Sequence, residues 1–291
     1  MRTKNQRIDK LIRCFVGVTN LNLCAPSSPN TSHDRYAQRP TTEICRLTLF
    51  TEKQLGSLAD LDMAIALERK RLKRRPEGHP DRARSLGNLT NSLRSRFKQL
   101  GSLADLDEAI ALQRNTLELR PEGHPDRSFS LGSLAASLDT RFDQLGSLAD
   151  LDDAISLGGN TLELLPEGHL DRAFSLGNLA SSLHSRFNQL GSLADLNEAI
   201  ALSRNALELH SERQSDRACP LGILANSLDS RFKQLGSLTD LDEAVALQRN
   251  ALELLPEGHP YRAHSLGNLA NLLYARFSIT HNVSDLHEIP S

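Results

Sequence analysis

The segment Leu-Gly-Ser-Leu opens at Leu55, Leu100, Leu145, Leu190 and Leu235, each 45 residues after the one before, and a truncated sixth copy runs from Thr280. Self-similarity at a fixed period of this size is the mark of a solenoid. One unit is too short to bury its own apolar stripe, so neighbouring units must stack. A chain of 291 residues would by length alone allow two compact domains. The period overrides that reading, because repeat arrays grow in one dimension.

The unit from Leu100 to Gln144 contains two helix signals. Ser102 followed by Asp105 has the form of a capping box, and Asp105, Asp107 and Glu108 place negative charge in a first helical turn. Leu106, Ala109, Ile110, Thr116 and Leu117 fall near one face, Pro121 ends the pattern, and Glu-Gly-His-Pro makes a turn. The second helix starts near Asp126, read as a cap. Leu131, Leu134, Ala135, Leu138 and Phe142 form its apolar stripe, with Phe129, Gly132, Ala136, Asp139 and Thr140 opposite. Each unit is therefore read as two antiparallel amphipathic helices.

Taken with the later helix first, the unit resembles the tetratricopeptide repeat. Leu86, Leu89 and Leu93 stand in the family's first motif, and Ala109, Thr116 and Pro121 in its second helix and closing proline; Ala244, Ala251 and Pro256 repeat that spacing. Where the family has Phe in the second helix, this chain has Gln113, Gly158, Ser203 or Gln248. Leu replaces the Trp and Tyr, and the long unit is similar to the kinesin-light-chain type and to the Asp-Leu-Asp-Glu-Ala-Ile arrays of fungi. The resemblance covers residues 55–289. It implies an all-α, right-handed α-α superhelix of antiparallel helix pairs, with the first helix of each pair lining a concave groove.

Residues 1–24 carry Arg2, Lys4, Arg7, Lys10 and Arg13 against one acid, Asp9, and residues 25–42 are polar and rich in Pro and Ser. Residues 1–42 are read as a disordered basic tail and linker, and 43–291 as the array, with 43–53 a degenerate first helix. The expected compartment is the cytoplasm, although the basic start also suits a mitochondrial presequence. Charge is nearly balanced at −2, Trp is absent and aromatics are 4%. That argues against nucleic acid as a partner. No stretch has the apolar length of a membrane span. The four cysteines form no C-x-x-C or disulfide framework, which favours a reducing compartment.

The sequence contains no nucleophile elbow, phosphate loop, zinc H-E-x-x-H or paired carboxylates in a unique segment, so neither enzyme activity nor a cofactor is expected. His79, His124, His169 and His259 recur a whole repeat apart, too far to share a metal ion, and are read as turn residues. Arg96 and Phe97 with their counterparts are read as structural, the Phe in the core and the Arg on an acid or a helix-end carbonyl. Asp81-Arg82 and its counterparts are read as a cap with a packing Arg. Pro220, lacking an N–H, predicts a late helix start near itself, with Arg217 to Cys219 extended or in a turn.

The expected function is a protein-interaction scaffold binding an extended peptide or partner helix in the groove. On the groove face one column holds Arg84, Phe129, Phe174, Cys219 and His264, and the next is Gly in every copy. A third includes Asn91, Asn226 and Asn271. A fourth is Arg94, Asp139, His184, Asp229 and Tyr274, with Asn88, Asn178 and Asn268 beside them. The first and fourth columns vary between copies, as a binding face would. Two alternatives stand beside this reading. Arrays resembling this one are often joined to a caspase-like protease, which makes a truncated regulatory array possible. Leu272, Leu273 and Phe277 near the last unit's end suggest self-association.

Overall fold

The computed structural model describes residues 58–209, 217–259 and 261–288. The expectations for residues 1–42 and 43–53 lie outside them. Among the described residues there is no strand. Eleven helices follow one another: α1 (Leu58–Lys73), α2 (Arg82–Leu100), α3 (Leu103–Glu118), α4 (Arg127–Leu145), α5 (Leu148–Leu164), α6 (Leu170–Leu190), α7 (Leu193–Leu209), α8 (Ala218–Leu235), α9 (Leu238–Leu254), α10 (Arg262–Thr280) and α11 (Val283–Glu288). The odd-numbered helices start in steps of 45 residues, as the repeat demands. The fold is an all-α solenoid of antiparallel helix pairs.

The helices fall into two compact units that meet in sequence at Leu165 and Pro166. In the first unit α2 packs on α3 and α4 on α5, with α1 against α2 and α3 against α4. Its core joins Ile65, Leu89, Leu93 and Ala109, then Phe97, Leu106, Ile110, Leu134, Leu138 and Ala154. In the second unit α6 packs on α7 and α8 on α9, with α7 against α8 and α9 against α10. There the core runs through Phe187, Leu196, Leu224, Leu228, Leu241, Val245 and Leu273; Leu272 and Leu273, expected at an exposed end, are instead buried between α9 and α10 residues of this cluster. The predicted stripe of α4 is buried at Leu131, Leu134, Leu138 and Phe142, while Ala135 is half-buried.

The Leu-Gly-Ser turn works because glycine reaches the left-handed region without steric cost. Gly146 closes α4 at φ 68°, its N–H donating to the Phe142 carbonyl at 2.7 Å. Ser147 then caps α5, its hydroxyl accepting from the Asp150 N–H. At Asp126 the expected cap bond is not made. Its backbone sits at φ −92°, ψ 10°, away from the extended geometry a capping side chain needs, and the His124 Nδ1 accepts the Asp126 N–H instead. The same imidazole-to-backbone bond recurs at His79, His169 and His259. These histidines thus shape the turn. Arg127 reaches back to the carbonyls of Arg120 and Leu117, satisfying the end of the preceding helix.

The capping box expected at Ser102 and Asp105 is not formed, since Ser102 makes no side-chain cap bond and the Asp105 carboxylate turns to an arginine. Asp105 is buried, and Arg96 grips both its oxygens, Nε to Oδ2 at 2.8 Å and Nη2 to Oδ1 at 2.6 Å, while Nη1 reaches Asp62 on α1 at 2.6 Å. One guanidinium therefore ties α2 to both neighbours. Arg141 repeats this with Asp150 and Asp107, and Arg276 with Asp285 and Asp242. In the second unit Arg231 grips Asp240 but meets Asn197 in place of the outer acid. Exposed pairs such as Arg114 with Asp153 and Arg204 with Glu243 add at most about 1 kcal/mol each.

The expected start of α8 is corrected. Helix α8 begins at Ala218, so Cys219 is helical and Arg217 stands at its N-cap in right-handed geometry. Proline is tolerated in a first turn, where its missing N–H would have had no intrahelical partner. The start is late by one residue relative to α2, α4 and α10, not by three.

Candidate functional site

In the first unit a cleft of about 330 Å³ lies between α2 and α4. Its sides are Arg84, Gly87, Asn88 and Asn91 from α2, and Phe129, Ser130 and Ser133 from α4. Gln113 and Thr116 enter from α3, and Arg120, His124 and Asp126 from the connection to α4. The local cause is the helix period: Arg84, Gly87, Asn88 and Asn91 follow at i, i+3, i+4 and i+7, opposite the buried Leu86, Leu89 and Leu93. A Cβ built at Gly87 meets nothing within 4 Å, so packing does not require glycine there. Phe129 is 69% exposed, an unusual state for an aromatic side chain.

The electrostatics are mostly settled within the protein. Asp126 is held by Arg120 at 3.3 Å and Asp81 by Arg75 at 3.8 Å. Arg120 also donates to the Ser130 hydroxyl. Asn88 is half-buried and donates to Glu68 Oε1 at 3.4 Å, so it is less free than the sequence suggested. Arg84 and Asn91 are exposed.

The cleft thus gathers Arg84, Asn88, Asn91 and Phe129 of the predicted face. Arg94 is half-buried further along α2. Asp139 is a correction: it is 5% exposed and does not present an open carboxylate. The reason is that α4 packs on both α3 and α5, which widens its buried arc to Ser137, Leu138 and Asp139.

In the second unit Phe174 and Asn178 are half-buried on α6, and Asn271 and Tyr274 are exposed on α10. Asn226, His264 and Asn268 engage one another: the Asn268 amide donates to Asn226 Oδ1 at 3.0 Å and meets His264 Nε2 at 3.2 Å. Burial holds the His264 pKa below its usual value, which suits a neutral ring accepting that amide. Asp229 pairs with Lys233 at 2.6 Å.

His184 lies half-buried, with Nε2 3.0 Å from the Ser230 hydroxyl on α8. Burial, and secondarily the charge of Lys233, lowers its pKa from 6.5 to about 4. Between those values the unfolded chain binds the proton that the folded one refuses, so stability falls as pH drops through that window. The full loss is about 3 kcal/mol. Thermal midpoints of the native chain and His184→Asn between these limits check it. The native curve should fall more steeply with acid, and parallel curves would show that His184 protonates freely in the fold.

The polar cleft residues Thr90, Gln113, Thr116, Ser130 and Ser133 were not among the expected site residues; of the two on α3, Thr116 was read on the apolar face and Gln113 was assigned no role in the groove. One signal was visible: Gln113 stands where the related family has Phe.

The tetratricopeptide-repeat family model matches residues 82–126, a stretch spanning α2, α3 and the turn that follows. The crystal structure of BtubC (BKLC) from P. vanneervenii is similar over 79% of this chain and 89% of its own, at 18% identity and a TM-score of 0.56. A putative kinesin light chain from Podosopora anserina with nearly identical TPR-like repeats is similar over 73% of this chain and 95% of its own, at 20% identity and a TM-score of 0.52. The fold is of the tetratricopeptide type. No curated protein matches the sequence. A tetratricopeptide-like array suggests a protein-interaction scaffold, and proteins of this type are typically without enzymatic activity. Among the described residues no helix is long and apolar enough to cross a membrane.

Proposed function

We propose that the first unit docks an extended segment of a partner protein in the cleft between α2 and α4. The observation that carries this reading is Gly87. In a helix interior glycine costs roughly 0.5–1 kcal/mol relative to alanine, and here no neighbouring atom demands it. It leaves space in which a ligand backbone can approach α2. Phe129 supports the reading as an exposed aromatic at the rim, the kind of side chain that dominates binding energy at interfaces. The amides of Asn88 and Asn91 offer donors and acceptors alongside.

Gly87→Ala and Gly87→Leu test this directly. Both residues favour helix over glycine, so the melting temperature should hold or rise, by the equivalent of about 0.5–1 kcal/mol. A partner recovered with the intact chain and then titrated in pure form should bind Gly87→Leu at least about ten-fold more weakly, a loss of about 1.4 kcal/mol. Equal affinity for both proteins would remove the cleft from the reading.

A further inference from the structure

Two buried polar groups of the cleft have no hydrogen-bond partner among the described residues: Gln113 Oε1 and Thr90 Oγ1. Both residues line the cleft, at 5% and 2% exposure. Unmet buried polar atoms are uncommon and costly in native proteins. The Gln113 orientation is fixed, because its Nε2 donates to the Ser133 carbonyl at 2.9 Å and to the Ser133 hydroxyl at 2.8 Å. A carbonyl oxygen can only accept, so the amide must turn its nitrogen there and its Oε1 elsewhere. Thr90 is also unlike its neighbour Thr116, whose hydroxyl donates to the Leu112 carbonyl one turn back at 2.8 Å.

Gln113 Oε1 can only accept, so the site asks for a donor there, while the Thr90 hydroxyl can accept or donate. A cationic donor suits it poorly: the acids Asp81 and Asp126 are already held by arginines, and exposed Arg84 stands at the rim. A hydroxyl carries its donor and acceptor on one atom, so it can meet Gln113 and Thr90 but offers no second group to Asn91. A primary amide brings two on one nitrogen and a carbonyl that Asn91, exposed on the same side, can meet.

We infer that the cleft selects an asparagine or glutamine side chain within the docked segment, its NH₂ donating to Gln113 Oε1 and Thr90 Oγ1. Both atoms lie beneath the cleft surface, so small shifts that keep the Gln113 bonds to Ser133 accompany entry. The inference rests on the docking reading above and adds the chemistry of the occupant.

The experiment uses the intact chain and a library of short acetylated, amidated peptides randomised at every position. Native protein should enrich Asn or Gln at one position. In single peptides, replacing that residue by Leu or Ala should weaken binding about ten-fold, the effect of a lost buried hydrogen bond. Gln113→Leu, similar in size and without the unmet acceptor, should bind the Asn and Leu peptides equally; a melt run alongside reads the separate cost of losing its two bonds to Ser133. Thr90→Val serves as a second variant with nearly unchanged shape. Peptides that are enriched and lost with Gly87→Leu, yet show no amide preference, would overturn the inference and leave docking standing. An amide preference unchanged in Gln113→Leu would do the same. If no enriched peptide depends on Gly87, both readings fall.

Discussion

Arg141→Ala is expected to destabilise the first unit by about 3–5 kcal/mol, as removal of one partner from a buried ion pair does. Asp150 is 6% exposed and receives two charge-assisted bonds from the Arg141 guanidinium, Nε to Oδ2 at 2.8 Å and Nη2 to Oδ1 at 2.6 Å. Those bonds, followed by the one to Asp107, outweigh burial and raise the Arg141 pKa above its already high value, so the guanidinium keeps its charge. Without the arginine, the carboxylate must stay charged in a dry site or take up a proton. The same side chain links α4 to α3 through Asp107 at 3.0 Å, so the loss also loosens the contact between repeats. Arg141→Lys should recover less than half of the stability, because an ammonium cannot fork across both oxygens. Asp107→Asn should cost under about 1 kcal/mol, since that acid is exposed. Urea unfolding followed by circular dichroism measures all three. An Arg141→Ala midpoint indistinguishable from native would mean that water reaches Asp150.

Leu138→Ala should cost about 3–5 kcal/mol, and Leu145→Ala less than about 0.5 kcal/mol. Leu138 has no exposed surface and packs in the cluster of Phe97, Leu106, Ile110, Leu134 and Ala154. Truncation removes transfer energy and leaves a cavity that a pair of stacked helices closes only in part. Leu145 is 57% exposed at the end of α4. The two leucines share a helical face by periodicity, so equal costs would show that the face, rather than what lies against it, sets the energy. Because stability in such arrays is mainly a sum of units and neighbouring interfaces, the Leu138 effect should be concentrated in the first unit. Hydrogen exchange resolved along the chain would locate it there.

Those leucines mark what could be read from the chain without a structure. The 45-residue step, the helix pairs, the stripe through Leu134, Leu138 and Phe142 and the structural Arg96-Phe97 pair follow from local rules. A 3.6-residue period fixes which residues share a face, glycine and proline fix where a helix stops, and one unit constrains the next by stacking. Arg84, Asn88, Asn91 and Phe129 were placed on one surface by the same rule, and in the first unit they do meet in a cleft.

Tertiary structure decided the depth of each face. Asp105 has the sequence position of a capping residue, yet Arg96 from the preceding helix makes it a buried ion-pair partner. Asp139 lies opposite its helix stripe, yet two flanking helices bury it. Gln113 belongs to the second helix of its pair and still reaches the cleft beside α2 and α4, anchored by Ser133 twenty residues on. Each outcome depends on a neighbour distant in sequence. Periodicity orients a side chain about its own helix axis; its burial and its bonding partner are set by the helices packed around it, and no local pattern encodes those.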